Sequence, residues 1–315
     1  MASGRKLAIT ESLLNLARKR VQAIETQITQ GLVAPVASLE NRQLVVSREL
    51  STVKAKRELE AASAALSLFL RNEEDKPILP NGNQLPAGFP AAQAPPENAL
   101  SLSLQHASAA RPEVTIYELK LEKLAIDTRL FRNQLQPYLN AYAKGSQSLG
   151  DTLYKDKDEF ELELGLEFKM PLQRNQAKGN LRVNEAQIEQ LELDTRMALD
   201  RIAAEVWNAH SAVQAAWEQI GQAELNVSLA AQLHEVERDR FALGAVDFLT
   251  LQLREQTDYR ARLSQVEVIH QYFTALADLI VATGLDARTI HTSKDSQLMP
   301  LLRGLTNQAS TANTH

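Results

Sequence analysis

Acidic and apolar residues alternate over positions 159–168 of this 315-residue sequence, and no other stretch spaces its charged side chains so regularly. In an extended strand successive side chains leave opposite faces, so Glu161, Glu163 and Glu167 share one face. The other face carries Phe160, Leu162, Leu164, Leu166 and Phe168. Carboxylates in water attract cations, and an apolar row of this length with aromatic ends suits a strand that crosses a membrane. The pattern therefore predicts a strand with one hydrated acidic face and one lipid-facing apolar face. A solvent-exposed amphipathic strand of a soluble α+β protein is the alternative.

No residue pattern predicts catalysis, a cofactor or a bound metal. The six histidines have no ligand-like spacing and no HExxH motif, and the sequence has no cysteine. A Gly-rich phosphate loop, a nucleophile elbow and paired carboxylates in a plausible pocket are all missing. The net charge of -5 gives no electrostatic reason to bind nucleic acid. We therefore expect a protein that is not an enzyme, in which His234 is a seam or hinge residue of a helix rather than a metal ligand.

Apolar residues recur with helical spacing before the alternating segment. Between positions 14 and 28 they follow a heptad, the pattern of a helix that packs along another helix. Gly31 interrupts this run, and a second helical run extends to about residue 70. The second run carries a heptad row formed by Leu39, Val46 and Val53. Residues 9–70 are therefore predicted to form a helical hairpin.

A much longer helix is predicted after the alternating segment, over 174–243, where no proline occurs. One heptad row in it consists of Val206, Val213, Ile220 and Val227, and the adjacent row consists of Ile202, Ala209, Ala216, Ala223 and Ala230. Such rows let a partner helix approach closely, and we expect Trp207 and Trp217 to pack in this seam. A turn at 243–245 leads to a further helix over about 247–283, with Gly284 as its C-cap.

The sequence contains an internal repeat. Positions 213 residues apart carry the same residue at Gly31/Gly244, Val33/Val246, Gln43/Gln256, Leu50/Leu263, Ser51/Ser264, Val53/Val266, Ala62/Ala275 and Leu66/Leu279. The turn position and the helix lengths also agree, which indicates a duplication.

The order of motifs in the second repeat resembles a known family. These motifs are Arg111-Pro112-Glu113 at a helix start, Pro137 before the hairpin 138–168, Pro171-Leu172 after it, Phe241 to Gly244 at the turn, and Leu279 to Gly284 at the end of the last helix. Together they resemble the TolC-type outer-membrane factors (the outer membrane efflux protein family), which are exit ducts of bacterial efflux pumps and type I secretion. The resemblance covers residues 9–284.

This resemblance implies a mainly α fold with a small antiparallel β part. Long coiled-coil-like helical hairpins would form a periplasmic tunnel, and a transmembrane β-hairpin would contribute to a β-barrel shared by a homotrimer in the outer membrane. Glu161, Glu163 and Glu167 would then face the lumen, with the apolar row on lipid. The implied partners are a periplasmic adaptor (membrane fusion protein) and an inner-membrane transporter, and transport through the channel would be passive. Drugs, metal ions and polypeptides all remain open as substrates.

The resemblance also sets the expected organisation of the chain. Its segments are a helical hairpin of a truncated first repeat (1–71), a Pro-rich connector (72–98), a helix of the second repeat (99–134), a membrane β-hairpin (135–171), a long helical hairpin (172–284) and a C-terminal tail (285–315). The N-terminus shows no apolar signal region, and by the resemblance the first part of the first repeat would be missing. We therefore expect a fragment, a truncated gene product or half of a split protein.

The two glycine turns are expected to form the periplasmic tip and to contact the adaptor. The candidate contact residues are Gly31, Val33, Arg240, Gly244, Val246 and Asp247. A valine two residues after each glycine suggests a small exposed apolar group at each tip, since a plain turn needs only the glycine. The family often carries acidic gate residues beyond the second turn, whereas Thr250 and Leu253 occupy that stretch here.

A soluble coiled-coil scaffold with a small β insertion is the competing hypothesis. The apolar face of the strand discriminates between the two, because a scaffold must bury that face in its own core and a membrane strand must not.

Overall fold

The structure is a computed structural model that describes residues 1–31, 33–80, 88–147, 160–170 and 172–285. Its elements in chain order are α1 (Ala2–Thr29), α2 (Val36–Ser67), α3 (Ala99–Ala110), α4 (Pro112–Asn133), β1 (Tyr138–Ser146), β2 (Glu161–Lys169), α5 (Asn175–Ala242) and α6 (Phe248–Thr283). The expected fold class, mainly α with a small antiparallel β part, is confirmed. None of the helices described is both long and apolar enough to cross a membrane.

The chain forms two compact units. One consists of Met1–Ala107 and the described residues from Glu205 onward, and the other of Ser108–Ala204. The first contains α1, α2, most of α3, the C-terminal part of α5 and α6. The second contains α4, the two strands and the N-terminal part of α5.

Heptad spacing explains the core of the first unit. In α1, which packs against α2 and α6, Leu14, Ala17 and Ile24 are buried as the spacing predicts. The residues of both α5 heptad rows that belong to this unit are buried, apart from the half-buried Val227. Trp217 also packs as expected, with its ring 6.3 Å from that of Tyr272. The prediction for Trp207 is wrong, because 62% of its surface is exposed.

Helix α2 packs through a face that its heptad row does not predict. The buried residues are Ala37, Asn41, Leu44, Arg48 and Ala55. The row formed by Leu39, Val46, Leu50 and Val53, named the α2 row here, is 56–69% exposed. At 3.6 residues per turn these two sets lie on opposite sides of the helix. The α2 row therefore packs against nothing within the part of the chain that the structure describes.

The described part of the connector, which has no helix, is fixed to α6. The Tyr272 hydroxyl donates a hydrogen bond of 2.9 Å to the carbonyl of Gln93. Phe89 stacks on Phe273 with the ring centroids 6.0 Å apart. Burial of the Tyr272 ring raises the pKa of its hydroxyl, which keeps that hydroxyl a neutral donor.

In the second unit, a buried amide joins two helices and the strands pair antiparallel. Asn184 of α5 donates to the carbonyl of Leu124 at 3.0 Å and to the hydroxyl of Thr128 at 2.7 Å, both in α4. The register runs from Tyr138 opposite Lys169 to Ser146 opposite Glu161. The residues between the strands from 148 to 159, which include Glu159, lie outside the described residues.

Both repeat turns have the same backbone conformation. Gly31 and Gly244 have φ of 73° and 72°, in the left-handed region that favours glycine. Asp247 caps α6 as its carboxylate accepts the Thr250 backbone N–H at 2.8 Å. Gly284, with φ of 70°, ends α6 as predicted.

Candidate functional site

The β-hairpin separates its polar and apolar side chains completely. On one side, named the apolar face, the register places Leu139, Ala141, Ala143 and Gly145 of β1 beside Phe168, Leu166, Leu164 and Leu162 of β2. The large side chains of β2 on this face, including Phe160 just before it, are 60–75% exposed. No described residue covers them, although an exposed apolar face of this size is costly in water.

The other side, named the polar face, combines the three glutamates with groups that the alternation in β2 alone does not reveal. Lys144 lies opposite Glu163 in the register, and Lys169 ends the row opposite Tyr138. The Tyr142 hydroxyl donates to the Glu163 carboxylate at 3.2 Å. The acidic face is therefore partly neutralised, with three carboxylates and two ammonium groups among its described residues.

At the other candidate site the two repeat turns line one groove. This tip groove has a volume of about 530 Å³. It is lined by residues that include Val33, Ala37 and Glu40 from the first turn region and Leu243, Gly244, Val246, Asp247 and Phe248 from the second. The structure thus brings four of the six candidate contact residues to one place, whereas Gly31 and Arg240 do not line the groove.

The expectation of exposed valines at the tip is wrong. Val33 and Val246 are half-buried, and Val33 packs against a cluster of Ile24, Ala37 and Phe248. The duplicated valine therefore has a packing role at least in the first turn. The apolar side chains exposed at this end include Val36 and Leu249, and the most exposed of the three is Leu243, with 84% of its surface accessible. Its place in the Phe241 to Gly244 motif was visible in the sequence, but a single leucine at a helix end does not reveal whether it packs.

Hydrogen bonds fix the charged residues of the second turn. Those from Thr250 hold the pKa of the Asp247 carboxyl below its usual range, so the cap is ionised at neutral pH. Arg240 is paired with Glu237 at 3.3 Å. A partner that uses Arg240 must therefore compete with this pair.

Sequence reasoning missed a buried charged cluster between α1, α2 and α6. Arg20 pairs with Glu255 at 2.9 Å, with 13% and 2% of the two side chains exposed. Arg48 lies 4.9 Å over the Tyr259 ring, and burial lowers the pKa of its guanidinium while the nearby Glu255 opposes this shift. A signal was available, since Glu255 continues the heptad position of the apolar Phe248.

His234 takes the expected place in a helix seam. Its Nδ1 lies 3.7 Å from Asp258, which also accepts two bonds of 3.0 Å from Arg262. Among the described residues no three His, Cys, Asp or Glu side chains are placed to hold a metal ion.

Known structures share this arrangement of elements, whereas no family model and no curated protein matches the chain. A membrane protein from Pseudomonas aeruginosa matches with a TM-score of 0.72 and 16% identity, over 90% of this chain and 65% of that one. The outer membrane protein VceC from Vibrio cholerae matches with a TM-score of 0.69 and 17% identity, over 90% and 66%. The outer membrane channel MtrE from Neisseria gonorrhoeae matches with a TM-score of 0.66 and 18% identity, over 90% and 64%.

The chain has the TolC-type outer-membrane factor fold. It spans about two thirds of the structures that it matches, 65% of the first and 66% of the second. These structures are described as membrane proteins or outer membrane channels.

Proposed function

We propose that this chain is a subunit of an outer-membrane exit channel that passes solutes passively from a periplasmic adaptor and an inner-membrane transporter to the exterior. The observation that carries the proposal is the apolar face of the hairpin, exposed beside a fully polar face on the same two strands. Each strand has nine residues, about the length that a tilted strand needs to cross a bilayer. Contact with lipid would bury the apolar face, and contact with water would solvate the polar face.

The polar face supports a water-filled lumen with a modest preference for cations. Glu161, Glu163 and Glu167 outnumber Lys144 and Lys169 on it. Rings of like charge around a narrow pore favour ions of the opposite sign, so repetition in a homotrimer would strengthen this excess. The lysine opposite Glu163 makes the preference weaker than the glutamates alone would suggest.

The exposed helical rows support assembly of several copies. Besides the α2 row, α5 carries an exposed row formed by Leu225, Leu229, Leu233 and Val236, named the α5 row. Exposed apolar rows at helical spacing favour packing against another helix. In our proposal the α2 row of one copy packs against the α5 row of the next, a head-to-tail contact that closes into a ring, here a trimer.

The tip groove supports docking of the adaptor. Its lining combines apolar Phe248, Ala37 and Leu243 with acidic Glu40 and Asp247 at the ends of two helical hairpins. A helical hairpin with an apolar residue and a basic residue at its own end would complement this surface. We therefore propose the tip groove, rather than the two valines alone, as the contact site.

Membrane extraction and conductance test this function. We expect the chain to fractionate with outer membranes, to leave them only in detergent and to produce discrete conductance steps in planar lipid bilayers. A chain that stays in solution without detergent and leaves bilayers sealed contradicts the proposal. The coiled-coil scaffold would then be favoured, although it requires cover for the apolar face from outside the described residues.

A further inference from the structure

One aromatic ring on the polar face occupies the space above a glycine of the facing strand. The register places Tyr142 of β1 opposite Gly165 of β2. A β-carbon added to Gly165 would lie 2.5 Å from Cζ and 2.6 Å from the hydroxyl oxygen of Tyr142. These distances are far shorter than van der Waals contact, so the ring fills the volume that any side chain at position 165 would need.

The same ring is held at its outer end. The Tyr142 hydroxyl donates to the Glu163 carboxylate, on the same face of the facing strand, at 3.2 Å. Gly165 is the one partly buried residue of β2, although it has no side chain of its own to shield its backbone. The ring therefore lies along the hairpin surface and covers the backbone at Gly165. An aromatic residue across from a glycine is a known way of stabilising a strand pair.

Tyr138 on the same face provides an internal comparison. Its hydroxyl lies 3.5 Å from the Glu167 carboxylate, which repeats the tyrosine–glutamate pairing of Tyr142. Its partner in the register is Lys169, however, whose ammonium lies 5.9 Å from the Tyr138 ring centroid. Only Tyr142 therefore has a glycine opposite it. Because Tyr138 contacts a glutamate without facing a glycine, the tyrosine–glutamate contact does not by itself require a glycine on the other strand.

We propose that the Tyr142–Gly165 pair sets the width of the pore at this level, because Gly165 allows one of the two largest side chains of the polar face to lie flat instead of projecting from it. This inference rests on the proposed function, since it takes the polar face to line a water-filled lumen. A side chain at position 165 displaces the ring, and staggered χ1 rotamers then direct it away from the strand surface. In a homotrimer the displaced ring enters the pore three times.

Single-channel conductance of the full chain in planar bilayers of phosphatidylcholine in KCl tests this pair. Gly165→Ala is expected to lower the conductance, and Tyr142→Ala in the same chain is expected to restore it, because the displaced ring is then absent. Tyr142→Ala alone is expected to leave the conductance near that of the wild type, since a flat ring obstructs little. Gly179→Ala is the control, because an added β-carbon there meets nothing within 4 Å.

Each outcome bears on the pair. Unchanged conductance of Gly165→Ala overturns the proposal, and so does a loss that Tyr142→Ala fails to relieve. If Gly165→Ala does not insert into the bilayer, the conductance of Tyr142→Ala decides. A conductance clearly above that of the wild type means that the ring projects into the pore, which overturns the proposal. An unchanged conductance supports the proposal. A wild-type chain that forms no pore contradicts the proposed function itself, whereas a conducting wild type with an unaffected Gly165→Ala contradicts only this inference.

Discussion

Leu164 and Glu163 are consecutive residues of β2 whose side chains lie on opposite faces of the hairpin. We expect Leu164→Arg to block membrane assembly and Glu163→Arg to permit it. An arginine on a lipid-facing strand near the bilayer centre costs about 2–4 kcal/mol. On the polar face the new arginine loses one hydrogen bond and meets Lys144, which costs about 1 kcal/mol or less. Outer-membrane fractionation and detergent extraction measure the difference, and equal tolerance of both changes would contradict the assignment of the two faces.

The buried Arg20–Glu255 pair makes a prediction about stability. Glu255→Gln is expected to lower the free energy of unfolding by about 3–5 kcal/mol, because Arg20 then remains buried without a counter-charge. Arg42→Gln is the matched control. It breaks the exposed pair of Arg42 with Glu25 and is expected to cost less than about 1 kcal/mol. Urea unfolding followed by circular dichroism compares them, and equal losses would show that burial of the pair is unimportant.

His210 predicts a dependence of stability on pH. Burial lowers its pKa, and its Nε2 is buried without a hydrogen-bond partner among the described residues. The unfolded chain then binds a proton more readily than the folded one. Stability from this residue is therefore complete above the unfolded pKa of about 6.5 and decreases as the pH falls below it. We expect the free energy of unfolding of His210→Leu to decrease less than that of the wild type between neutral pH and pH 5. The variant His270→Leu, at an exposed position, is the control. If His210→Leu shows the same decrease as the wild type, the prediction is wrong.

At the level of single elements, helix α2 has two faces that are suited to packing against another helix. The described chain supplies a packing partner for only one of these faces. Its small and polar face, which includes Asn41 and Arg48, packs inward, and Asn41 donates to the Ala17 carbonyl of α1 at 3.3 Å. The α2 row faces away. A regular heptad row of apolar residues is typical of a surface that packs against another helix, and not of a surface that faces solvent.

The α2 row can be tested without disturbing the inner face. Leu50→Glu is expected to abolish assembly into trimers, since an unpaired carboxylate would be buried at the contact. Ser47→Glu introduces the same charge on a lateral position of α2 and is expected to leave assembly intact. Chemical crosslinking and size-exclusion chromatography with light scattering report the oligomeric state. Trimers formed by Leu50→Glu would exclude the α2 row as the contact.

At the scale of the whole molecule, the tip and the hairpin have separate roles in the proposed channel. Leu243→Asp is expected to abolish export while the trimer still forms, because removing a central apolar contact costs about 2 kcal/mol or more at an interface. Leu243 is a sharper choice than the neighbouring glycine, whose φ of 72° makes any substitution strain the turn. Gln219→Asp, at an exposed position of α5 outside the α5 row, is the control. Crosslinking to the adaptor through a cysteine at Ala245 and an export assay measure the effect, and intact crosslinking and export would exclude the tip groove.

Local patterns of residues were enough to predict which elements form and which strand residues share a face. The alternation in β2, the heptads of α1 and α5 and the glycine turns depend on local periodicity and backbone conformation, so they were readable without tertiary contacts. The two turns match to within a degree in φ, as the repeat predicts.

Contacts between distant elements were needed to show which of the predicted rows is buried and which charged side chains pair. Val53 and Val266 occupy equivalent positions of the repeat, yet Val53 is 68% exposed and Val266 is 7% exposed. Leu66 and Leu279 differ in the same way, at 42% and 4%. The identical spacing in the two repeats cannot show which position is buried. Burial depends on whether another element packs against that face of the helix, and such packing joins residues that are far apart in the sequence. The same reason hid the Arg20–Glu255 pair and the position of Tyr142 over Gly165, since each is a property of two elements brought together.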